Sequence, residues 1–221
     1  MCGRYTLSQS ADVLAEAFHL PEVPLHIPRY NIAPTQGVAV IQQSQGTRQW
    51  QLLRWGLIPS WSKDVKIGNK LINARSETVA EKPSFRSAFR YRRCLIPADG
   101  FYEWQRQEKK KQPFYFQVHK GQPFAFAGLW EHWEGEGGPI DSCTLLTTQA
   151  NALLAPIHDR MPVILHPEDY DRWLDPQIQD SKSLESLFQP YPSEEMAGYP
   201  VSAIVNSPAH DTLDCVVPQA K

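Results

Sequence analysis

The sequence predicts an α+β fold in a single domain over residues 1–221, mostly antiparallel and sheet-rich, with a barrel-like core and short peripheral helices. Three observations predict it. Strand-like runs fill the middle of the chain, helical periodicity is confined to short stretches, and strands do not alternate with long helices as a parallel sheet requires.

Ser10 can cap a short helix running to about Leu20, with Val13, Leu14, Ala17 and Phe18 on its apolar face. Pro21, Pro24 and Pro28 then hold the backbone extended. Val38–Gln42 and Arg48–Leu53 flank Ser44-Gln45-Gly46 and read as a hairpin. A second hairpin pairs Gly100–Gln105 with Pro113–His119 across the polar stretch Arg106–Gln112, where Lys109, Lys110 and Lys111 form a solubilising tip. Gly121 turns the chain into a strand at Phe124–Trp133, and the loop Gly135–Gly138 leads to another at Cys143–Thr148. Met161–Leu165 is a further strand, followed by a helix that opens at Pro167 and carries Tyr170, Trp173 and Leu174. Val201–Val205 is the last strand expected.

Composition narrows the function classes. With 42% hydrophobic and 11% aromatic residues the chain can bury a sizeable core, and 21% charged residues argue against disorder. Apolar runs such as Phe124–Trp130 are too short to span a bilayer, and Met1-Cys2-Gly3-Arg4-Tyr5 does not read as a signal peptide, so a cytoplasmic protein without membrane contact is expected. A net charge of −2 excludes a broad cationic coat, so any nucleic-acid contact has a small footprint. The cysteines Cys2, Cys94, Cys143 and Cys215 form no CxxC pair, and Cys94, Cys143 and Cys215 read as buried thiols. Neither a metal site nor a small-molecule cofactor is expected, since metal-ligand spacing and nucleotide-binding glycine motifs are lacking. Without heptads a monomer is expected.

What remains is Cys2. Removal of Met1, which precedes a small residue, would leave an exposed cysteine with amine and thiol on adjacent carbons. Such a pair condenses with an aldehyde and closes a five-membered thiazolidine. An α-amine with a pKa of about 7.8 is roughly 15% neutral at pH 7 and is a competent nucleophile. Alternation along Leu71–Glu77 puts Asn73 and Arg75 on one face, about 7 Å apart, suited to a polar ligand and a phosphate. In Pro97–Trp104, Glu103 shares a face with Phe101 while Tyr102 and Trp104 point oppositely; partial desolvation should raise its pKa for acid–base work. In Ile157–Pro162, His158 stands where a polar turn meets an apolar strand, at the rim of a pocket. Arginines interleave with aromatics in Phe85–Arg93, as either a nucleic-acid track or an amphipathic helix with a solvated basic face.

Six segments in order carry a resemblance: Met1–Tyr5, Arg29–Pro34, Trp55–Trp61, Asn73–Glu77, Pro97–Trp104 and His158–Pro162. Together they resemble the SRAP (SOS-response-associated peptidase) family over most of the chain, weakening after the Trp173 helix. The resemblance implies a protein that recognises abasic sites in single-stranded DNA and cross-links to them, nucleoid-associated when bound. It implies that Cys2 is the nucleophile, that Asn73 positions sugar and cysteine, and that Glu103 and His158 move protons. Arg4 and Arg75 match arginines on DNA phosphates, and Pro34 and Trp61 match residues pressing on bases beside the lesion. Ser62 stands where some relatives carry a second tryptophan, which would thin that wedge. Strand cleavage by β-elimination is an expected side activity. Two alternatives stay open: a cysteine peptidase, as the family name suggests, and a non-covalent reader of single strands or junctions with Cys2 incidental.

Overall fold

The computed structural model describes residues 2–108 and 110–219. The predicted removal of Met1 and the Lys109 part of the predicted tip fall outside the described residues. In chain order the elements begin with β1 (Tyr5–Leu7), α1 (Ala11–Ala17), β2 (Arg29–Ile32), β3 (Gly37–Ser44), β4 (Thr47–Trp55) and β5 (Asn73–Arg75). Next come α2 (Arg86–Tyr91), β6 (Arg93–Ala98), β7 (Gly100–Gln107), β8 (Lys110–Val118), β9 (Phe124–Gly135) and β10 (Gly138–Gln149). β11 (Arg160–Pro162), β12 (Ile164–Leu165), α3 (Tyr170–Leu174) and β13 (Met196–Pro200) complete them, with short 3-10 turns between. Two sheets result. One has five strands in the order β13-β8-β7-β1-β2; the other has eight, in the order β11-β10-β4-β3-β6-β9-β12 with β5 on β10. The predicted α+β, sheet-rich class with short helices holds. Pairing is mostly antiparallel, but β10 runs parallel to both β4 and β5.

The β3–β4 hairpin forms as the sequence dictates: a two-residue turn at Gln45 (φ 51°) and Gly46 (φ 78°), both left-handed, matches the twist of the flanking strands. Other expectations need correction. Ser10 stands at the N-cap of α1, but its hydroxyl makes no capping bond and only its carbonyl takes the Leu14 N–H. Leu14 and Phe18 are buried whereas Val13 is 39% exposed, so the helix turns a narrower face inward than predicted. The second hairpin is tighter than the polar stretch suggested, with Gln107 opposite Lys110, so Lys110 and Lys111 belong to β8. Met161–Leu165 divides at Val163, whose N–H goes to Leu146 and whose carbonyl receives the Ala127 N–H, as pairing passes from β10 to β9. Val201–Val205 is not a strand. Its apolar β-branched residues mimic one, but after a bridge at Val201 it coils into the 3-10 turn Ala203–Asn206, capped by the Ser202 hydroxyl.

β7 partitions the interior. Phe101 faces the main core, where it meets Phe116 and Phe126, and Tyr5 bridges to Trp55 and Phe126 of the other sheet. Each such ring, fully buried, contributes about 2–3 kcal/mol. Cys94 and Cys143 are buried in this core, as expected of them. Tyr102, on the opposite face, belongs to a second cluster with Tyr115, Val201, Val205 and Cys215. Among the described residues no helix is long and apolar enough to cross a membrane.

Candidate active site around Cys2

Cys2 stands ahead of β1, whose first ladder residue, Tyr5, pairs with Ile32 and Phe101. The backbone before that point is held from outside the ladder. The Tyr102 N–H donates to the Arg4 carbonyl (3.0 Å), and Asn73 Nδ2 donates to the Cys2 carbonyl (2.8 Å). The Cys2 thiol points back to the Arg4 carbonyl at 3.7 Å. Cys2 is 0% exposed, which corrects the expectation of an exposed residue: the extended stub folds inward against the core instead of projecting. Burial, and after it the charge of Glu103, pushes the thiol well above its usual range.

Glu103 is 2% exposed on the core-facing side of β7, so the alternation read from the sequence is correct. Burial lifts its carboxyl to about 7, outweighing the interactions that favour its charge. Asn73 reaches Cys2 because β5 lies parallel on β10, with Asn73 opposite Leu145 and Arg75 opposite Thr147. Ala74 between them is buried, which turns Asn73 and Arg75 to the other face as predicted. Asn73 Oδ1 is buried and accepts no hydrogen bond among the described residues. Arg75 is exposed.

His158, its side chain 28% exposed, sits at a rim as expected. Its Nδ1 accepts the Arg160 N–H at 3.0 Å, with the Asp159 carboxylate 3.1 Å away. Partial burial pushes its pKa below the usual histidine range, and Asp159 also touches Glu103 electrostatically. Arg160 forms a two-pronged ion pair with Glu77 (2.5 and 2.9 Å) and donates to the Thr147 carbonyl (2.6 Å). That pair joins the segment carrying Asn73 to the turn carrying His158. Both residues lay in segments singled out from the sequence, but nothing local signals a pairing across 83 positions.

The remaining predicted residues lie further out. Arg4 turns its guanidinium inward, donating to Asn31 Oδ1 (2.7 Å) and to the carbonyls of Val205 (2.7 Å) and Asn206 (3.4 Å) while stacking on Trp104 (5.7 Å). It is a clamp in this structure. A recess of about 350 Å³ beside it is lined by Gly3, Arg4, Trp104, Lys111 and Asn206. Pro34 is half-buried after β2. Trp61 is 59% exposed, its indole N–H directed at the Pro83 carbonyl (3.4 Å), and Ser62 closes its own loop through hydrogen bonds with Asp64. In Phe85–Arg93 the helix reading prevails: Phe85 and Phe89 are buried, Phe89 against Trp173, and are not free to stack on bases. Arg93 of the same segment is buried too, bonded to carbonyls of Phe89 and Trp173. A groove of about 530 Å³ between Leu20–Leu25 and Arg48–Leu52 is lined by none of these residues. Among the described residues no group of three or more His, Cys, Asp and Glu side chains could hold a metal ion.

Fold and site together define a two-sheet protein built around a cysteine at its second position, with an amide, a carboxyl and an imidazole converging on that end of the chain. The chain belongs to the SOS response associated peptidase (SRAP) family, whose sequence pattern matches residues 1–208. It is 47% identical to the abasic site processing protein YoqW of Bacillus subtilis, covering 98% of this chain and 99% of that protein. It is 30% identical to the abasic site processing protein YedK of Escherichia coli, covering 99% of this chain and 100% of that one. Against the abasic site processing protein HMCES of Gallus gallus it is 34% identical over 86% of this chain and 66% of that protein. Among solved structures, a protein from Bacteroides thetaiotaomicron superposes with a TM-score of 0.89 at 26% identity, covering 99% of this chain and all of that one.

Proposed function

We propose that this chain processes abasic sites in single-stranded DNA by forming a covalent thiazolidine link between Cys2 and the opened sugar. The observation that carries the reading is the convergence on Cys2 of Asn73 (2.8 Å from its carbonyl) and of Glu103, a carboxyl lifted to about 7 by burial. The relatives named above, called abasic site processing proteins, support it.

In this reading Met1 is removed, freeing the Cys2 amine. The amine adds to the C1′ aldehyde, and the carbinolamine loses water to give an imine. A carboxyl near pKa 7 can deliver the required proton at neutral pH. His158, kept neutral and accepting at Nδ1, holds its own proton on Nε2 and can offer a hydrogen bond there to the carbinolamine oxygen. The thiol then adds to the imine carbon: sulfur–carbon bond formation returns the electron pair to nitrogen, and the thiol proton leaves to Glu103 or water. The amine acts first, because the carbon that the thiol attacks is the imine carbon that the amine creates. The imine acidifies the C2′ protons, so β-elimination competes with ring closure and gives a side lyase activity. Asn73 fixes the Cys2 carbonyl, Arg75 contacts phosphate, and Pro34 and Trp61 contact flanking bases. The protein acts as a monomer in the cytoplasm.

The test incubates the protein with single-stranded oligonucleotides with and without an abasic site, followed by denaturing gels and mass spectrometry. A heat-stable adduct only with the abasic strand, lost in Cys2→Ala, is expected. A persistent heat-stable adduct in Cys2→Ala sinks the thiazolidine account, and equal binding to intact and abasic strands with no adduct favours the non-covalent reader. Cleavage of peptides by the purified protein would favour the peptidase.

A further inference from the structure

We propose that the segment Ala203–Val216 is a strap that positions the nucleophile, with Asn31 and Asp211 as its positioning residues. The inference rests on the reading of Cys2 given above and accounts for the Arg29–Asn31 motif, which that reading leaves without a role.

Cys2, Gly3 and Arg4 precede the first ladder pair, and the sheets hold their backbone by two bonds, from the Tyr102 N–H to the Arg4 carbonyl and from Asn73 Nδ2 to the Cys2 carbonyl. A three-residue extended stub reaches about 10 Å, enough to carry a reacting atom well out of place. The strap supplies what the ladder lacks. Arg4 reaches the strap carbonyls of Val205 and Asn206 and shares Asn31 as a partner. Asn31 is fully buried, and its Nδ2 faces the carbonyls of Val205 (3.2 Å), Ser207 (3.0 Å) and His210 (2.6 Å). One amide therefore gathers three strap carbonyls on its nitrogen and holds Arg4 on its oxygen.

Asp211 closes the strap from the far side. Its carboxylate accepts the N–H groups of Tyr30 (2.5 Å) and Asn31 (2.8 Å) and pairs with Arg29. Asn206 Oδ1 takes the Trp104 indole N–H (2.8 Å), steadying the ring on which Arg4 stacks. Beneath the polar bonds, Val205 and Cys215 pack with Tyr102 in the second cluster. The strap is an irregular segment without ladder bonds of its own. It holds its course through the residues of β2, and through Arg4 it fixes the stub.

A displacement of 1 Å at a reacting atom can lower a rate about a hundredfold. Asp211→Ala is therefore expected to lower the adduct-forming rate at saturating abasic single strand at least tenfold. The half-saturating DNA concentration should stay within about twofold, since Asp211 bonds to Arg29, Tyr30 and Asn31 and to none of the residues proposed to contact DNA. Asp211→Asn keeps an oxygen for the Tyr30 and Asn31 N–H groups and should recover most of the rate. Hydrogen exchange gives a readout independent of the chemistry: the Tyr102 amide, which donates to Arg4, should exchange faster in Asp211→Ala while amides of β9 and β10 do not. An unchanged saturating rate in folded Asp211→Ala, or unchanged Tyr102 exchange, overturns the strap. Rate and affinity falling in parallel overturns it too. Absence of any adduct from the unmodified protein overturns the covalent reading instead, and the exchange measurement still decides the strap.

Discussion

Asp99 and Glu103 are both buried carboxyls at opposite ends of one short segment, and the protein uses them in different ways. Asp99, 1% exposed, accepts hydrogen bonds from the hydroxyls of Thr6 (2.5 Å) and Ser8 (2.8 Å) and from the N–H groups of Ser8 (2.5 Å) and Gln9 (2.9 Å). Those donors lie on and just after β1, so Asp99 fixes the turn that leads away from the strand following Cys2. Gly100 beside it is obligatory on space alone: a Cβ there would lie 2.1 Å from the Tyr115 hydroxyl, which meets Thr6 at 2.9 Å. Glu103, four residues on, is 2% exposed and lifted to about 7. Burial alone therefore does not make a reactive carboxyl. A dense ring of donors makes an anchor, and an environment that disfavours the charge makes a group able to exchange a proton at neutral pH.

The largest effect should come from breaking the anchor. Asp99→Ala strands the Thr6, Ser8 and Gln9 donors in the interior and is expected to cost about 3–5 kcal/mol, measured by urea unfolding. Its effect on adduct yield should track only the folded fraction. Glu103→Gln should move stability the other way, and only above acid pH. The Glu103 carboxyl rises from 4.5 to about 7, a difference of about 2.5, or roughly 3 kcal/mol at 1.36 kcal/mol per unit. The sign follows from a raised acid: its stability is fully present below pH 4.5 and is lost as pH rises through 7. Unfolding at pH 5 and pH 8 should show the native protein losing that amount relative to Glu103→Gln, and parallel curves would refute it. The same substitution should lower the adduct rate about a hundredfold and remove a rate decline above pH 7.

Smaller effects probe the surroundings. Trp61→Ala should leave stability within about 0.5 kcal/mol, since the indole is exposed, yet weaken DNA binding by about 1–3 kcal/mol. Fluorescence anisotropy on a labelled single strand checks it, and unchanged affinity would remove Trp61 from the contact. Glu77→Gln breaks a partly exposed ion pair, for about 0.5–1 kcal/mol, and lowers the adduct rate only a few-fold. Since Arg160 holds the Glu77 carboxyl below its usual range, that contribution is present at neutral pH and disappears as pH falls through the depressed value.

Much of this was legible in the sequence where the signal is local. Gly46 between alternating runs announced the first hairpin, and alternation through Phe101–Trp104 announced that Glu103 faces the core while Tyr102 and Trp104 do not. Asn73 and Arg75 were placed on one face by the same period. What escaped is what side chains stitch together across the chain. Val201 and Val205 looked like a strand, but four positions apart on a coiled segment both bury in the second cluster. For Arg4 the resemblance implies a phosphate contact, and no local pattern tells that Asn31 and the carbonyls of Val205 and Asn206 also bond it. Cys2 reads as exposed in the sequence, whereas Asn73 and Tyr102 draw the stub inward.

That inward placement bears on how the molecule survives between encounters. Peroxides and alkylating agents attack the thiolate, and a buried thiol held protonated offers almost none. Cys2 is thus shielded from oxidants that meet the folded protein. Peroxide treatment should therefore oxidise denatured protein at Cys2 far faster than folded protein, followed by mass spectrometry of the N-terminal peptide.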